Sequence, residues 1–104
     1  MAAAEPKGTS QSAGKVLDVL NVLLGHFAHG LTPTELAKAT GLEPSSITRN
    51  EATLEEKGAA ARTPATGRSR PSARLAQHAV GILRSLDAAK QRVDEIVHRI
   101  CTPQ

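Results

Sequence analysis

The sequence predicts a mainly α-helical protein with three helices, a small β-hairpin and a long C-terminal helix. Between residues 32 and 58, two short helical segments flank a glycine, and each segment opens with a proline. Residues 59–74 are rich in arginine and contain a turn from Pro64 to Gly67. A heptad pattern of apolar residues then continues to residue 100 without an interior proline. Together these observations predict a winged helix-turn-helix over residues 14–71, followed by a long helix over 72–100.

Length and composition limit the chain to one small domain with an appendage. Its 104 residues include one Phe, one Met and no Trp or Tyr, so Leu, Ile, Val and Ala must form the core. The net charge of +3 is compatible with nucleic acid but is not specific for it. No apolar run reaches the ~20 residues of a membrane span. The small polar residues 1–13 predict a disordered tail, and residues 101–104 form a second tail.

The single cysteine, Cys101, excludes an intrachain disulfide and favours a reducing, cytoplasmic location. We find no Ser/His/Asp or Cys/His arrangement, no phosphate-binding glycine loop and no metal-ligand cluster, so neither an enzyme nor a cofactor is expected. His26 and His29 are three residues apart, but no third ligand lies nearby in the sequence. A surface role at a helix end is therefore favoured for them over metal binding.

The first helix is predicted from Gly14 to about His29–Gly30. Apolar pairs at 16/17, 19/20 and 23/24 recur at helical spacing and fall on one side of this helix. We expect that wide apolar side to be the floor on which the next two helices pack.

The next two helices have clear start and stop signals. Thr32 is a good N-cap, and Glu35 lies three residues after it, as in a capping box. Gly41 follows the last turn of that helix, where a residue in the left-handed conformation lets the chain reverse without a Cβ clash. The following helix is predicted from Glu43–Pro44 to Glu56 or Lys57, where Gly58 stops it.

The outward faces of this third helix carry hydroxyls, an arginine and an asparagine. Ile47, Glu51 and Leu54 follow the inward spacing instead. Arg can bond guanine, Asn can bond adenine, and Ser or Thr can bond phosphate or base. The predicted DNA contacts on these two helices are Thr34, Ser45, Ser46, Thr48, Arg49, Asn50 and Thr53. The alternative is an ordinary helical hairpin in which these positions are only solvated.

Glu51 is the exception among the inward positions, because a buried carboxylate must be desolvated, paired or turned outward. Lys15 and Arg62 are the two basic residues that we consider as its partners. Their separation along the chain leaves the choice open.

The wing segment carries Arg62, Arg68, Arg70 and Arg74 and no acidic residue. Residues 32–58, by contrast, contain three basic and five acidic residues, a net charge of −2. We therefore expect the wing to supply most of the attraction to phosphate, with Arg62, Arg68 and Arg70 as DNA contacts. The alternative is a solvated loop. The strand signal itself is weak, because Ala59–Ala61 has low β-propensity.

The long helix carries an apolar stripe spaced alternately four and three residues apart. The stripe consists of Leu75, Ala79, Ile82, Leu86, Ala89, Val93, Ile96 and Ile100. This period is typical of a left-handed coiled coil and predicts a homodimer through a pair of helices. The alternative is a helix that folds back onto its own domain.

Two functions from different classes follow from these residues. The first is a homodimeric, sequence-specific regulator of transcription that binds double-stranded DNA. The second is a protein-interaction module that docks a partner through the face of the third helix or through the C-terminal helix. The acidic balance of residues 32–58 favours the second function.

Residues 14 to about 80 resemble the N-terminal winged helix-turn-helix of IclR-type (isocitrate-lyase-regulator) transcription factors. The resemblance runs through KVLDVLNVL, GLTPTELAKATGLEPSSITR, ATLEEKG and the wing exit from TGRSR to ARLAQ. It implies a dimeric DNA-binding regulator, with a recognition helix around Ser45–Thr53 and a wing around Thr63–Arg70. The helix after Pro71 resembles the linker helix that pairs protomers in that family. The family's effector-binding domain is not among these residues, so the resemblance implies no small-molecule ligand.

The chain departs from that family at three positions. The family tends to have apolar residues where this chain has Glu51, Ala59 and Ser69. Each change removes packing from the wing or the recognition helix. We hypothesise that apolar residues have been replaced here, or that the hydrophobic surface at this place belongs to a partner.

Overall fold

The computed structural model describes residues 8–103, and the predicted winged helix-turn-helix with a long C-terminal helix is confirmed. The part of the predicted tail at residues 1–7 lies outside the described residues, as does residue 104. The elements in chain order are α1 Gln11–Leu24, α2 Pro33–Thr40, α3 Pro44–Glu56, β1 Ala60–Arg62, β2 Ser69–Pro71 and α4 Ala73–Cys101. The chain divides into two compact units, one ending at Ser72 and the other beginning at Ala73.

Both boundaries of α1 differ from the expected ones. The helix begins at Gln11 rather than Gly14, because Ser10 Oγ accepts a hydrogen bond from the Ala13 amide at 3.2 Å and caps it. It ends at Leu24 rather than near His29–Gly30. The Gly25 amide bonds back only three residues, and tight turns follow up to Gly30, whose φ of +69° lies outside the helical region.

The apolar side of α1 is narrower than predicted. Val19 and Leu23 are fully buried, and Val16 and Leu20 pack partly against them. Leu17 and Leu24, expected on the same side, are 56% and 50% exposed. At 3.6 residues per turn, positions 17 and 24 lie seven residues apart on a flank that the core does not reach.

The helix-turn-helix forms as its start and stop signals predict. Thr32 and Glu35 make a complete capping box at the start of α2. Gly41 adopts φ +73° after α2, and Gly58 adopts φ +75° after α3. The core lies where α1, α2, α3 and the hairpin meet, and its buried apolar residues are Val19, Leu23, Leu31, Leu36, Ile47, Leu54 and Ala60.

The wing is a short antiparallel hairpin. Ala60 pairs with Pro71, Ala61 with Arg70 and Arg62 with Ser69. Leu31 adds an isolated bridge to the other edge of β2, because its amide and carbonyl both bond to Ser69 at 2.8 Å. This bridge brings the segment before α2 against the wing. The hairpin is thus tied to the helices through main-chain hydrogen bonds despite its weak strand signal.

The second unit is the 29-residue helix α4. None of its residues is buried; Leu75 is partly exposed, and the large apolar side chains from Val80 to Ile100 are 45–77% exposed. No helix among residues 8–103 is long and apolar enough to span a membrane.

Candidate nucleic-acid interface

The outer face of α3 presents four of the six residues predicted there. Ser45, Thr48, Arg49 and Thr53 are exposed. The hydroxyls of Thr48 and Thr53 donate to main-chain carbonyls one turn earlier, at 3.1 and 3.0 Å. Arg49 makes no side-chain hydrogen bond or ion pair with residues 8–103 and is therefore the most available donor on this face.

Ser46 and Asn50 do not lie on the outer face, and their predicted orientation is wrong. They are 8% and 9% exposed, and Asn50 Nδ2 lies 3.4 Å from Ser46 Oγ. Both residues border the inward arc formed by Ile47, Glu51 and Leu54, where α1 packs against α3. Both side chains therefore lie on the α1 side of α3, with little of their surface exposed.

Glu51 is buried as its spacing predicts, with 1% of its surface exposed. Its Oε2 accepts a short hydrogen bond from Arg62 and a second, at 2.7 Å, from Ser69 Oγ. Arg62 also lies 3.4 Å from Glu55 Oε1. Arg62, rather than Lys15, is therefore the partner of Glu51, because the hairpin places Arg62 and Ser69 directly opposite each other over α3.

The other oxygen of the Glu51 carboxylate has no hydrogen-bond partner among residues 8–103. A buried oxygen in this state carries a desolvation cost of about 1–3 kcal/mol. The site therefore combines an ion pair with an acceptor oxygen that has no partner among residues 8–103.

A second ion pair holds the other side of the wing. Arg68 Nη1 donates to Glu35 Oε1 at 3.0 Å and to the Gly30 carbonyl at 3.3 Å. The pKa of Glu35 is lowered, mainly by the Thr32 amide, further by the Thr32 hydroxyl and then by the Arg68 charge. Glu35 thus caps α2 and anchors the wing with the same carboxylate.

These contacts divide the predicted wing arginines into two groups. Arg62 and Arg68 are paired with carboxylates of α3 and α2. Arg70 is exposed and makes no ion pair with any described residue. It lies on the outer side of β2, because Ser69 and Pro71 on either side of it point inward.

A comparison with protein-family profiles matches the IclR helix-turn-helix domain over residues 12–64, which is half of the chain. The chain belongs to the IclR helix-turn-helix family. This is a DNA-binding domain of transcription regulators and not an enzyme family. A search of curated proteins gave no significant match, and neither did a search of solved structures.

Two of the three departures of this IclR-type domain contact each other. Glu51 and Ser69 are hydrogen-bonded, and each is 1% exposed. Ala59 is only partly buried and packs at the edge of the core. Glu51 and Ser69 are therefore a hydrogen-bonded pair in which the Ser69 hydroxyl supplies a donor to the buried carboxylate.

Sequence reasoning missed the part that Glu35 plays in holding the wing. Its position three residues after Thr32 identified the capping box, but Arg68 lies 33 residues further along the chain. No local pattern indicates such a contact. Among residues 8–103 we find no group of three or more His, Cys, Asp or Glu side chains arranged to hold a metal ion.

Proposed function

We propose that this protein is a homodimer that binds double-stranded DNA sequence-specifically and regulates transcription. The observation that carries the proposal is the exposed polar face of α3, which an IclR-type helix-turn-helix presents next to the Gly41 turn. A helix presented in this way fits the major groove, which is wide enough to admit it.

Within this proposal, Arg49 is the main reader of base edges. It is exposed and has no ion pair among the described residues, so the five N–H donors of its guanidinium are available to a guanine and to a phosphate beside it. Ser45, Thr48 and Thr53 lie on the same exposed side and contact base or phosphate. Thr34 is exposed at the start of α2 and contacts the backbone. Ser46 and Asn50 lie instead on the α1 side of α3.

Arg70 is the wing residue that we assign to the DNA backbone. Its exposure on the outer side of β2 leaves its charge uncompensated by any described carboxylate. Direct contacts from Arg62 and Arg68 remain predictions, and their ion pairs with Glu51 and Glu35 weigh against them.

The homodimer forms through the apolar stripe of α4. Ile82, Leu86 and Val93 are 61%, 62% and 57% exposed within their own chain. Such a row of exposed aliphatic side chains on a helix with no buried residue is stabilised by a second copy. Two protomers would then present two α3 helices to two half-sites.

The test is a titration of a random-sequence duplex by fluorescence anisotropy between about 50 and 200 mM salt, with the mass of the protein measured in parallel. We expect salt-sensitive binding by a dimer. Arg49→Ala should weaken binding, whereas Arg84→Ala, an exposed arginine in the middle of α4, is the matched control. A dimer with no affinity for duplex at any salt concentration would contradict the proposal.

A protein-docking module is the second candidate, and one observation favours it. The helix-turn-helix has a net charge of −2, and Glu43, Glu55 and Glu56 are exposed on α3 and at its start. These carboxylates repel phosphate. A protein partner with a basic surface would suit them better, and its binding would persist in variants that have lost all duplex affinity.

A further inference from the structure

A cleft of about 360 Å³ lies between the start of α1 and the exposed side of α3. Its volume is at the lower end of the range of about 300–1,000 Å³ for ligand sites. It is formed entirely within the first unit of the chain, and its polar lining residues are Ser12, Lys15, Ser46, Arg49, Asn50 and Thr53.

The chemistry of this lining is cationic and rich in donors. Lys15 and Arg49 contribute two positive charges, while hydroxyls and one amide supply the other polar groups. No carboxylate of residues 8–103 lines the cleft. Lys15 also lines two neighbouring grooves, one beside Asp18 and the other beside Arg49 and Glu43. The side of the two cations that faces Thr53 is therefore the one without a described carboxylate.

Both cations are available to a ligand. Neither Lys15 nor Arg49 makes a side-chain hydrogen bond or an ion pair with residues 8–103, and both are exposed. The wing arginines Arg62 and Arg68 differ in this respect, because carboxylates already compensate their charges. Of these four cations, the two without an ion pair to a described residue therefore lie on the α1 side of α3.

We propose that this cleft binds a backbone phosphate of duplex DNA between Lys15 and Arg49, which makes the start of α1 part of the DNA interface. The inference rests on the proposed function, because it requires α3 to enter the major groove. The groove is about 12 Å wide, and a helix with its side chains is about 10–12 Å across. An element packed directly beside α3 therefore meets the sugar-phosphate wall rather than the base edges.

A phosphate fits the cleft better than a base edge does. The lining offers donors and positive charge but no aromatic ring on which a base could stack. Ammonium and guanidinium groups together neutralise a phosphodiester without reading its sequence. Lys15 should accordingly strengthen binding to all duplexes by a similar factor, whereas Arg49, which also reaches the outer face of α3, affects both affinity and sequence preference.

The experiment compares Lys15→Ala with the wild-type protein in titrations of a random-sequence duplex over a range of salt concentrations. Each phosphate contact contributes about 0.9 to the slope of log affinity against log salt. We expect Lys15→Ala to lower the slope by about 1 and to weaken binding by up to about tenfold at 0.1 M salt. Lys15→Arg should retain most of the slope, and Lys15→Ala should melt like the wild type because Lys15 is exposed.

Lys90→Ala is the matched control, because it removes the same charge from an exposed position of α4 that lies off the apolar stripe. If the wild type binds and both alanine variants lower the slope equally, the effect is one of net charge and the cleft proposal is overturned. It is also overturned if Lys15→Ala leaves the slope unchanged while Arg49→Ala lowers it. If the wild type does not bind duplex, the proposed function itself is contradicted. That outcome differs from the two above, in which the wild type binds and only the cleft proposal fails.

A second measurement distinguishes duplex phosphate from a free anion. Amide resonances of Ser12 and Ala13 should shift on addition of duplex in the wild type and shift less in Lys15→Ala at the same duplex concentration. Shifts at these residues with inorganic phosphate and none with duplex would show a small-anion site and overturn the assignment to DNA.

Discussion

Ser69 Oγ donates a hydrogen bond of 2.7 Å to the carboxylate of Glu51, and both residues are 1% exposed. This contact joins the wing to the recognition helix α3. Arg62, directly opposite Ser69 in the hairpin, donates to the same oxygen. Two polar residues that look like separate losses of packing in the sequence are therefore one hydrogen-bonded unit.

Ser69→Ala should destabilise the domain by about 1.5–3 kcal/mol, because it removes a hydrogen bond to a buried charged group. Urea denaturation followed by circular dichroism measures this change. Ser45→Ala is the control, since Ser45 is exposed on the same domain. Equal stabilities of the two variants would show that the bond to Glu51 contributes nothing.

Replacing Glu51 and Ser69 together should lower the free energy of unfolding by less than the sum of the two single replacements. Glu51→Leu alone leaves Ser69 Oγ buried without its acceptor, but it also removes the unpartnered oxygen of Glu51. The double variant Glu51→Leu with Ser69→Ala is expected to be at least as stable as the wild type, because apolar groups often replace buried ion pairs without loss. Arg62 keeps its contact with Glu55 in this variant.

A double-mutant cycle of melting and urea curves measures this coupling, which we expect to be about 0.5–3 kcal/mol in favour of the double variant. Strict additivity of the two single changes would refute the joint role of Glu51 and Ser69. The same result would instead support the hypothesis that Glu51 and Ser69 each remove packing independently.

Gly30→Ala should be more damaging than Gly41→Ala, although both glycines have a positive φ, +69° and +73°. A left-handed alanine costs about 1–2 kcal/mol at either position. At Gly30 the added Cβ would also lie 2.5 Å from the Ser69 carbonyl oxygen, whereas at Gly41 no atom lies within 4 Å. The difference between the two melting temperatures isolates that contact, and a smaller loss at Gly30 than at Gly41 would contradict the structure.

Glu35 should make the domain sensitive to acid. Its pKa is lowered in the folded state, chiefly by the hydrogen bond from the Thr32 amide. The carboxylate therefore stabilises the fold above the pKa of the unfolded chain, and this contribution is lost as the pH falls below about 4. Urea titrations at about one-unit intervals between pH 3 and 7 measure the free energy of unfolding. Between about pH 7 and 3 this free energy should fall less in Glu35→Gln than in the wild type. An identical pH dependence in both proteins would contradict this assignment.

The apolar stripe of α4 should determine the oligomeric state. Leu86→Glu places a charge at a stripe position that is 62% exposed in the single chain, and we expect it to halve the mass in solution. Ser85→Glu introduces the same charge one position away from the stripe and should leave the dimer intact. Sedimentation equilibrium distinguishes the two results, and a wild-type monomer would rule out the stripe as a dimer interface.

The sequence by itself determined the order of elements, the limits of α2 and α3, the position of the wing turn and the long final helix. These features depend on local signals, such as the Thr32 cap, the left-handed Gly41 and the apolar period, whose energies act within a few residues. Local periodicity also placed Ile47, Glu51 and Leu54 on the inward face, and all three are buried.

Only the tertiary structure decided which charges remain available. Arg68 meets Glu35 across 33 residues and Arg62 meets Glu51 across 11, while Lys15 and Arg49 keep their charges uncompensated by described residues. It also decided that Ser46 and Asn50 lie against α1. Such outcomes depend on how α1 and the wing pack on α3, and neither a helical period nor a capping signal carries information about contacts between distant segments.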